Sequence, residues 1–266
     1  MNTFYNTVQF MVIYLTNFEY MTSFRRSIHI ATRLEGPGTG SARAALEDDF
    51  HHFRVELAFA AGVVARAHGS GLRIPYTGCA AAGAALAGLA GMRLDSVANS
   101  VTRATDASQQ CTHQLDLAGL ALAAAARGIS ARRYDIDVPR RIGKQTSGRI
   151  DRDGVTVLDW RIDGETIVAP QEHAGVSLRD GFARWALTSL PEDVAEAALI
   201  LRRCLMISRG RERDLDVLPH AEPSGRCFAQ QPQRAVTALR VVGSTWDFTE
   251  RAGELCAEDR AFLQAV

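Results

Sequence analysis

Residues 110–116, Gln-Cys-Thr-His-Gln-Leu-Asp, place a thiol, an imidazole and a carboxylate close together where a loop runs into the longest clean helical stretch of the chain. Upstream lie Asp48, Asp49, His51 and His52, directly before an apolar strand, and Cys79, which follows Gly78. A mixed sulfur, nitrogen and oxygen set of this kind suits Zn²⁺ or iron. Cys79, Cys111, His113 and one of Asp49, His51 or His52 are the expected ligands. His51 or His52 would alternatively serve as general base, with Asp116 orienting an imidazole. Cys111 opens a helix, where the amide dipoles favour the thiolate needed for ligation or for attack on a carbonyl. The competing explanation is that it continues the apolar face of Leu115, Ala118 and Leu122 as a buried thiol. His113, two positions on, points away from Cys111 on a regular helix, so the two can share an ion only if Cys111 lies in the cap. His113 and Asp116 do share a face, and the carboxylate could hold the ring as such partners commonly do. Two adjacent acids also fit a solvated loop, and Cys79 fits a small buried residue.

Positioning these groups requires an α+β chain. Phe24 to Leu34 reads as a first strand, ended by the Gly-rich breaker at 36–40. Phe53, Val55, Leu57 and Phe59 alternate as in a half-buried strand, Ala61-Gly62 turns the chain, and 63–67 returns as a hairpin partner. In an extended conformation Asp49 and His51 share one side of that strand and Asp48 and His52 the other, so one histidine faces inward. Residues 80–90 predict a short buried helix and 109–127 a longer one. Strands follow at 134–138, 149–151, 155–162 and 166–168, punctuated by the hairpin turns Asp153-Gly154 and Asp163-Gly164. A helical stripe of Leu178, Phe182 and Trp185 and a helix begun at Pro191 come next. The tail from Arg211 is loop-rich, with one strand expected at 238–242. Three parts result: an extension, 1–23; a strand-and-helix core carrying the site, 24–130; and a second α+β part, 131–266.

Composition narrows the function. The 266 residues carry 30 basic and 30 acidic side chains, so neither a nucleic-acid nor an acidic-membrane surface is expected. Five cysteines, at 79, 111, 204, 227 and 256, are scattered without a Cys-x-x-Cys pair, as befits reduced thiols in a cytoplasm. Cys204 falls on the apolar face of its helix, and Cys256 reads as peripheral. Residues 1–20 lack Ala, Gly, Lys and Arg, unlike the remainder. They read as a floppy extension or as sequence before a natural start at Met21, and their apolar run is too short to span a bilayer. The chain holds no Gly-x-Ser-x-Gly and no Walker loop, so no nucleotide cofactor is expected.

The blocks Glu47 to Phe53, Cys111-Thr112-His113, and Leu201-Arg202-Arg203 with the Gly210-Arg211 turn resemble an uncharacterised bacterial family, domain of unknown function 2889. The resemblance runs from about Phe24 to Phe248 and implies no known activity. Residues 52–127 are also similar to iron–sulfur scaffold proteins of the NifU type, in which three cysteines and an Asp or His hold zinc or a nascent cluster. In that likeness Cys79 matches the second scaffold cysteine, Cys111 the third and His52 the aspartate, while Phe50 stands where the first cysteine would be. It implies a NifU-like hairpin-and-helix core with an additional small sheet and two helices. The expected protein is a cytoplasmic Zn or Fe protein and, if it is an enzyme, one that performs hydrolysis, hydration or lyase chemistry on a small organic substrate. The alternatives are a metal-free enzyme with Cys111 as nucleophile, or a non-catalytic iron–sulfur or partner-binding module. The Ala-rich helices could also form a homo-oligomer interface.

Overall fold

A computed structural model of the protein describes residues 22–266. The expected extension at 1–23 lies, but for its last two residues, outside the described residues. The fold is α+β and is built on one eight-stranded antiparallel sheet. Its strands are β1 (Ser23–Gly36), β2 (Thr39–Asp48), β3 (His52–Ala60), β4 (Val63–Arg73), β5 (Ala131–Pro139), β6 (Gln145–Arg152), β7 (Val155–Asp163) and β8 (Thr166–Ala169), in the order β4-β3-β2-β1-β5-β6-β7-β8. The parts expected at 24–130 and 131–266 therefore share one sheet. β1 pairs with β5 continuously from Ser23↔Pro139 to Ala31↔Ala131.

Alternation sets the two faces of the sheet. Phe24, Arg26, Ile28 and Ile30 of β1 lie beside Asp48, Leu46 and Ala44 of β2, and these in turn beside Phe53 and Val55 of β3, all buried. This face is covered by α1 (Thr112–Ala126), which crosses β1, β2 and β3, and by α3 (Glu192–Ile207), which crosses β5, β6 and β7. The shorter α2 (Phe182–Ser189) packs on α3. α1 is buried nearly all round because a turn at 98–100 covers its outer side, so Leu117, Ala118 and Leu122 have almost no exposure. Each large apolar side chain buried there contributes about 2 kcal/mol of transfer free energy.

Ion pairs fix α1 and α3 antiparallel. Arg203 Nε donates to Asp116 Oδ2 at 2.8 Å near one end, and Arg127 pairs with Glu196 near the other. Asp116 and Glu196 are each the fifth residue of their helix. The two halves, each a four-stranded meander followed by a long helix, are thus related by an approximate two-fold.

Two expected elements take other forms. The helix expected at 80–90 is a 3-10 segment, Thr77–Leu89, pressed so close to β4 that a Cβ on Gly83 would meet the Gly69 carbonyl oxygen at 1.8 Å. The strand expected at 238–242 reduces to single bridges, Tyr76↔Arg240 and His220↔Leu239.

The opposite face of β1–β3 is closed by the C-terminal segment. Asp259 accepts from Arg54 Nε at 2.5 Å and lies 2.9 Å from His52 Nε2, the Cys256 amide donates to Glu47 Oε2 at 2.8 Å, and Arg43 donates to the Phe262 carbonyl at 2.7 Å. Among the described residues no helix is long and apolar enough to cross a membrane.

Candidate metal centre

The site forms where the β2–β3 hairpin meets the start of α1. Asp48 ends β2, and its Oδ1 accepts from the amides of Phe50 at 2.7 Å and His51 at 2.8 Å, folding residues 48–51 into a tight turn. That turn overrides the extended geometry expected from the sequence. It brings His51 to the same side as Asp48, with Nδ1 3.0 Å from Oδ1, instead of opposite it. From across the sheet Arg26 donates Nε to Asp48 Oδ2 at 2.9 Å and adds a second, shorter contact through Nη2. Both side chains are buried, Asp48 at 0% exposure and Arg26 at 2%. Burial alone would raise the Asp48 pKa, but the Arg26 charge and the His51 contacts outweigh it and hold the carboxyl well below its usual range. An ionised carboxylate only accepts, so His51 donates through Nδ1, and Nε2 is the nitrogen left clear of that contact.

His113, the second residue of α1, lies against this pair. Its ring centroid is 4.1 Å from that of His51 and 5.9 Å from that of Phe53, which also stacks on His51 at 5.5 Å. Burial, reinforced by His51 and Arg26, pushes its pKa well below the usual histidine value, so the ring is neutral at pH 7. Its Nε2 is shielded from solvent and has no hydrogen-bond partner. One donor atom each from Asp48, His51 and His113 lies within 4.8 Å of the others, the only such group of three or more among the described residues.

The other expected site residues lie outside this group. His52 faces the opposite side of the sheet, between Asp259 and Glu47. Asp116 pairs with Arg203. Cys79 belongs to a separate apolar cluster with Ala221, Ala229, Ala235 and Ala238. Cys111 caps α1 and is buried. Its burial pushes the thiol up to about 12 against the pull of the Gln114 and His113 amides, so the thiolate expected at this helix start does not form near neutral pH. Asp49 is fully buried and is not among the three converging residues. Neither of its oxygens has a hydrogen-bond partner, and Arg211 Nε stands 3.5 Å off. Burial raises its pKa to about 7, partly opposed by Arg211.

Arg26 was legible in principle, because alternation with Phe24, Ile28 and Ile30 puts a charge on the covered face of a strand, where it needs a partner. No family model and no curated protein matches this chain. Its chemistry therefore has to come from the site itself. Two imidazoles and a carboxylate can ligate a borderline metal or move a proton, and the carboxylate fixes which nitrogen of His51 is free.

Proposed function

We propose that Asp48, His51 and His113 bind a transition metal, Zn²⁺ or iron, and that the protein uses it on a small organic molecule. The observation that carries this proposal is the convergence of three donors within 4.8 Å of one another, in a group that includes a histidine whose shielded Nε2 has no hydrogen-bond partner among the described residues. Such an ion would polarise a carbonyl or a bound water for hydrolysis, hydration or lyase chemistry. The order of hairpin, Cys79 and Cys111 keeps the NifU-like likeness of residues 52–127 as part of the proposal, with nitrogen and oxygen donors in place of thiols.

One observation favours a second reading, in which no metal is needed. Both Asp48 oxygens already accept hydrogen bonds, and the Arg26 guanidinium beside them opposes a further cation. On that reading Asp48 orients His51, whose Nε2 acts as a general base.

Metal analysis decides between them. Protein loaded with Zn²⁺ or Fe²⁺ and dialysed should retain about one equivalent, falling at least tenfold in His51→Ala and His113→Ala. Retention below about a tenth of an equivalent by the unaltered protein discards the metal and leaves the Asp48–His51 pair.

A further inference from the structure

A second concavity opens between α1 and α3, on the helical layer and distinct from the histidine cluster. It encloses about 390 Å³ and is walled by Leu120 of α1, Leu199 of α3 and Phe182 at the start of α2. Four arginines, at 179, 184, 202 and 203, border it. Two of these are neutralised within the protein, Arg179 by Glu165 and Arg203 by Asp116.

Arg202 is different. It is half-buried, and among the described residues its one side-chain hydrogen bond runs from Nε to the Leu178 carbonyl at 2.7 Å, with no described partner for either terminal nitrogen. Among the described residues no carboxylate lies within ion-pairing distance of it. Burial, then the Arg203 charge, lowers its pKa while Asp116 pulls the other way, and Asp116, Asp180 and Glu196 also line the cleft beside the arginines. A planar, two-pronged donor held beside an apolar wall matches a molecule with an oxyanion at one end and hydrocarbon at the other.

We propose that this cleft binds a small organic oxyanion, a carboxylate or a phosphate ester, with Arg202 gripping the charged end and Leu120, Leu199 and Phe182 covering the hydrocarbon. The site does not depend on a metal at His51 and His113.

Calorimetric titration of the full-length protein with hexanoate, hexyl phosphate and 1-hexanol tests it. Saturable binding of hexanoate or hexyl phosphate is expected at millimolar concentration or below, and whichever binds more tightly identifies the oxyanion. 1-Hexanol should bind at least tenfold more weakly than that ligand. Arg202→Gln should cost at least tenfold in affinity for the anion. Leu199→Trp, which fills the cleft from a half-buried position, should block it, and it decides the matter should Arg202→Gln fail to fold. No saturable binding of either anion up to ~10 mM overturns the proposal, as does binding that 1-hexanol equals or that both variants leave unchanged.

Discussion

The two halves of the sheet solve the same structural problem with different chemistry. In the first, Arg26 of β1 lies directly across from Asp48 at the end of β2; in the second, Tyr134 of β5 lies directly across from Arg152 at the end of β6. Arg26 and Tyr134 are both buried beneath the helices, but Arg26 brings a full charge and Tyr134 a phenol that donates to Glu196. The hairpins beyond them diverge further. Residues 48–51 form a buried turn carrying a carboxylate and an imidazole, whereas Asp153-Gly154 is an exposed two-residue turn with both residues at positive φ. Beneath the second half lies an aromatic cluster of Trp160, Phe182 and Trp185, with Trp160 Nε1 donating to His173 Nδ1 at 3.0 Å. The second half thus sets a neutral side chain at the Arg26 position and takes its buried charge from Glu196 of α3, paired with Arg127, and buried pairs often stabilise no better than apolar packing of the same volume. Retaining Arg26, Asp48, His51 and His113 in one half points to use.

The largest effect that could break this contrast comes from Asp48→Asn. It leaves the Arg26 guanidinium buried without a counter-charge and should cost about 3–5 kcal/mol in urea unfolding. Arg26→Met in the same background should recover more than half of that loss, the signature of a coupled pair. Tyr134→Phe, the matching change in the second half, removes one hydrogen bond to a carboxylate that keeps its Arg127 partner and should cost less, about 1.5–3 kcal/mol. Equal costs for Asp48→Asn and Tyr134→Phe would erase the distinction between the halves.

Asp49, next to Asp48 in the chain, sharpens the contrast from the opposite direction. Its pKa is raised from 3.8 to about 7 in the folded protein, so its contribution to stability is intact below about pH 4 and is lost as pH rises through 7. Asp49→Asn removes that dependence. At pH 8 it should unfold later than the unaltered protein, by up to about 4 kcal/mol, with the gain shrinking toward pH 4. A pH-independent difference between the two would show that Asp49 is ionised throughout.

His113 carries the smaller effect expected of a neutral buried imidazole. Its folded pKa is depressed, so its contribution is present above 6.5 and is lost as pH falls from there toward the folded value. His113→Phe, which can keep the stacking on Phe53, should remove about 1 kcal/mol of acid sensitivity between pH 6.5 and 5.5, read from melting temperatures across that range. The same variant tests whether metal retention and acid sensitivity share one residue.

Much of this fold can be read from local pattern. The Phe53-Val55-Leu57-Phe59 alternation, the turns at Ala61-Gly62 and Asp153-Gly154, and the helices at 112–126 and 192–207 were all legible, because each depends on residues a few positions apart. The single sheet was not, since it rests on β1 pairing with β5 across some hundred residues of intervening chain. β2 was equally opaque. Ala42, Ala44, Ala45 and Leu46 are all buried, because helix α1 covers one face and the C-terminal segment the other, and a strand buried on both sides loses its alternation. At the site, the sequence marked the acid–histidine hairpin and His113, but an extended chain predicts Asp49 beside His51. Two hydrogen bonds from main-chain amides to Asp48 decide the matter the other way, and no periodicity encodes them.

The smallest predicted effect lies in the second hairpin and tests whether that turn is only scaffold. Gly154 stands at φ 83 with open space around it, so Gly154→Ala meets backbone strain and no steric clash. It should lower stability by about 1 kcal/mol. Because the turn carries no group that faces the histidines, metal retention and anion binding should stay unchanged. A loss of metal retention from so remote a change would mean that the halves are coupled through β1 and β5, and the confinement of the histidine chemistry to the first half would then fail.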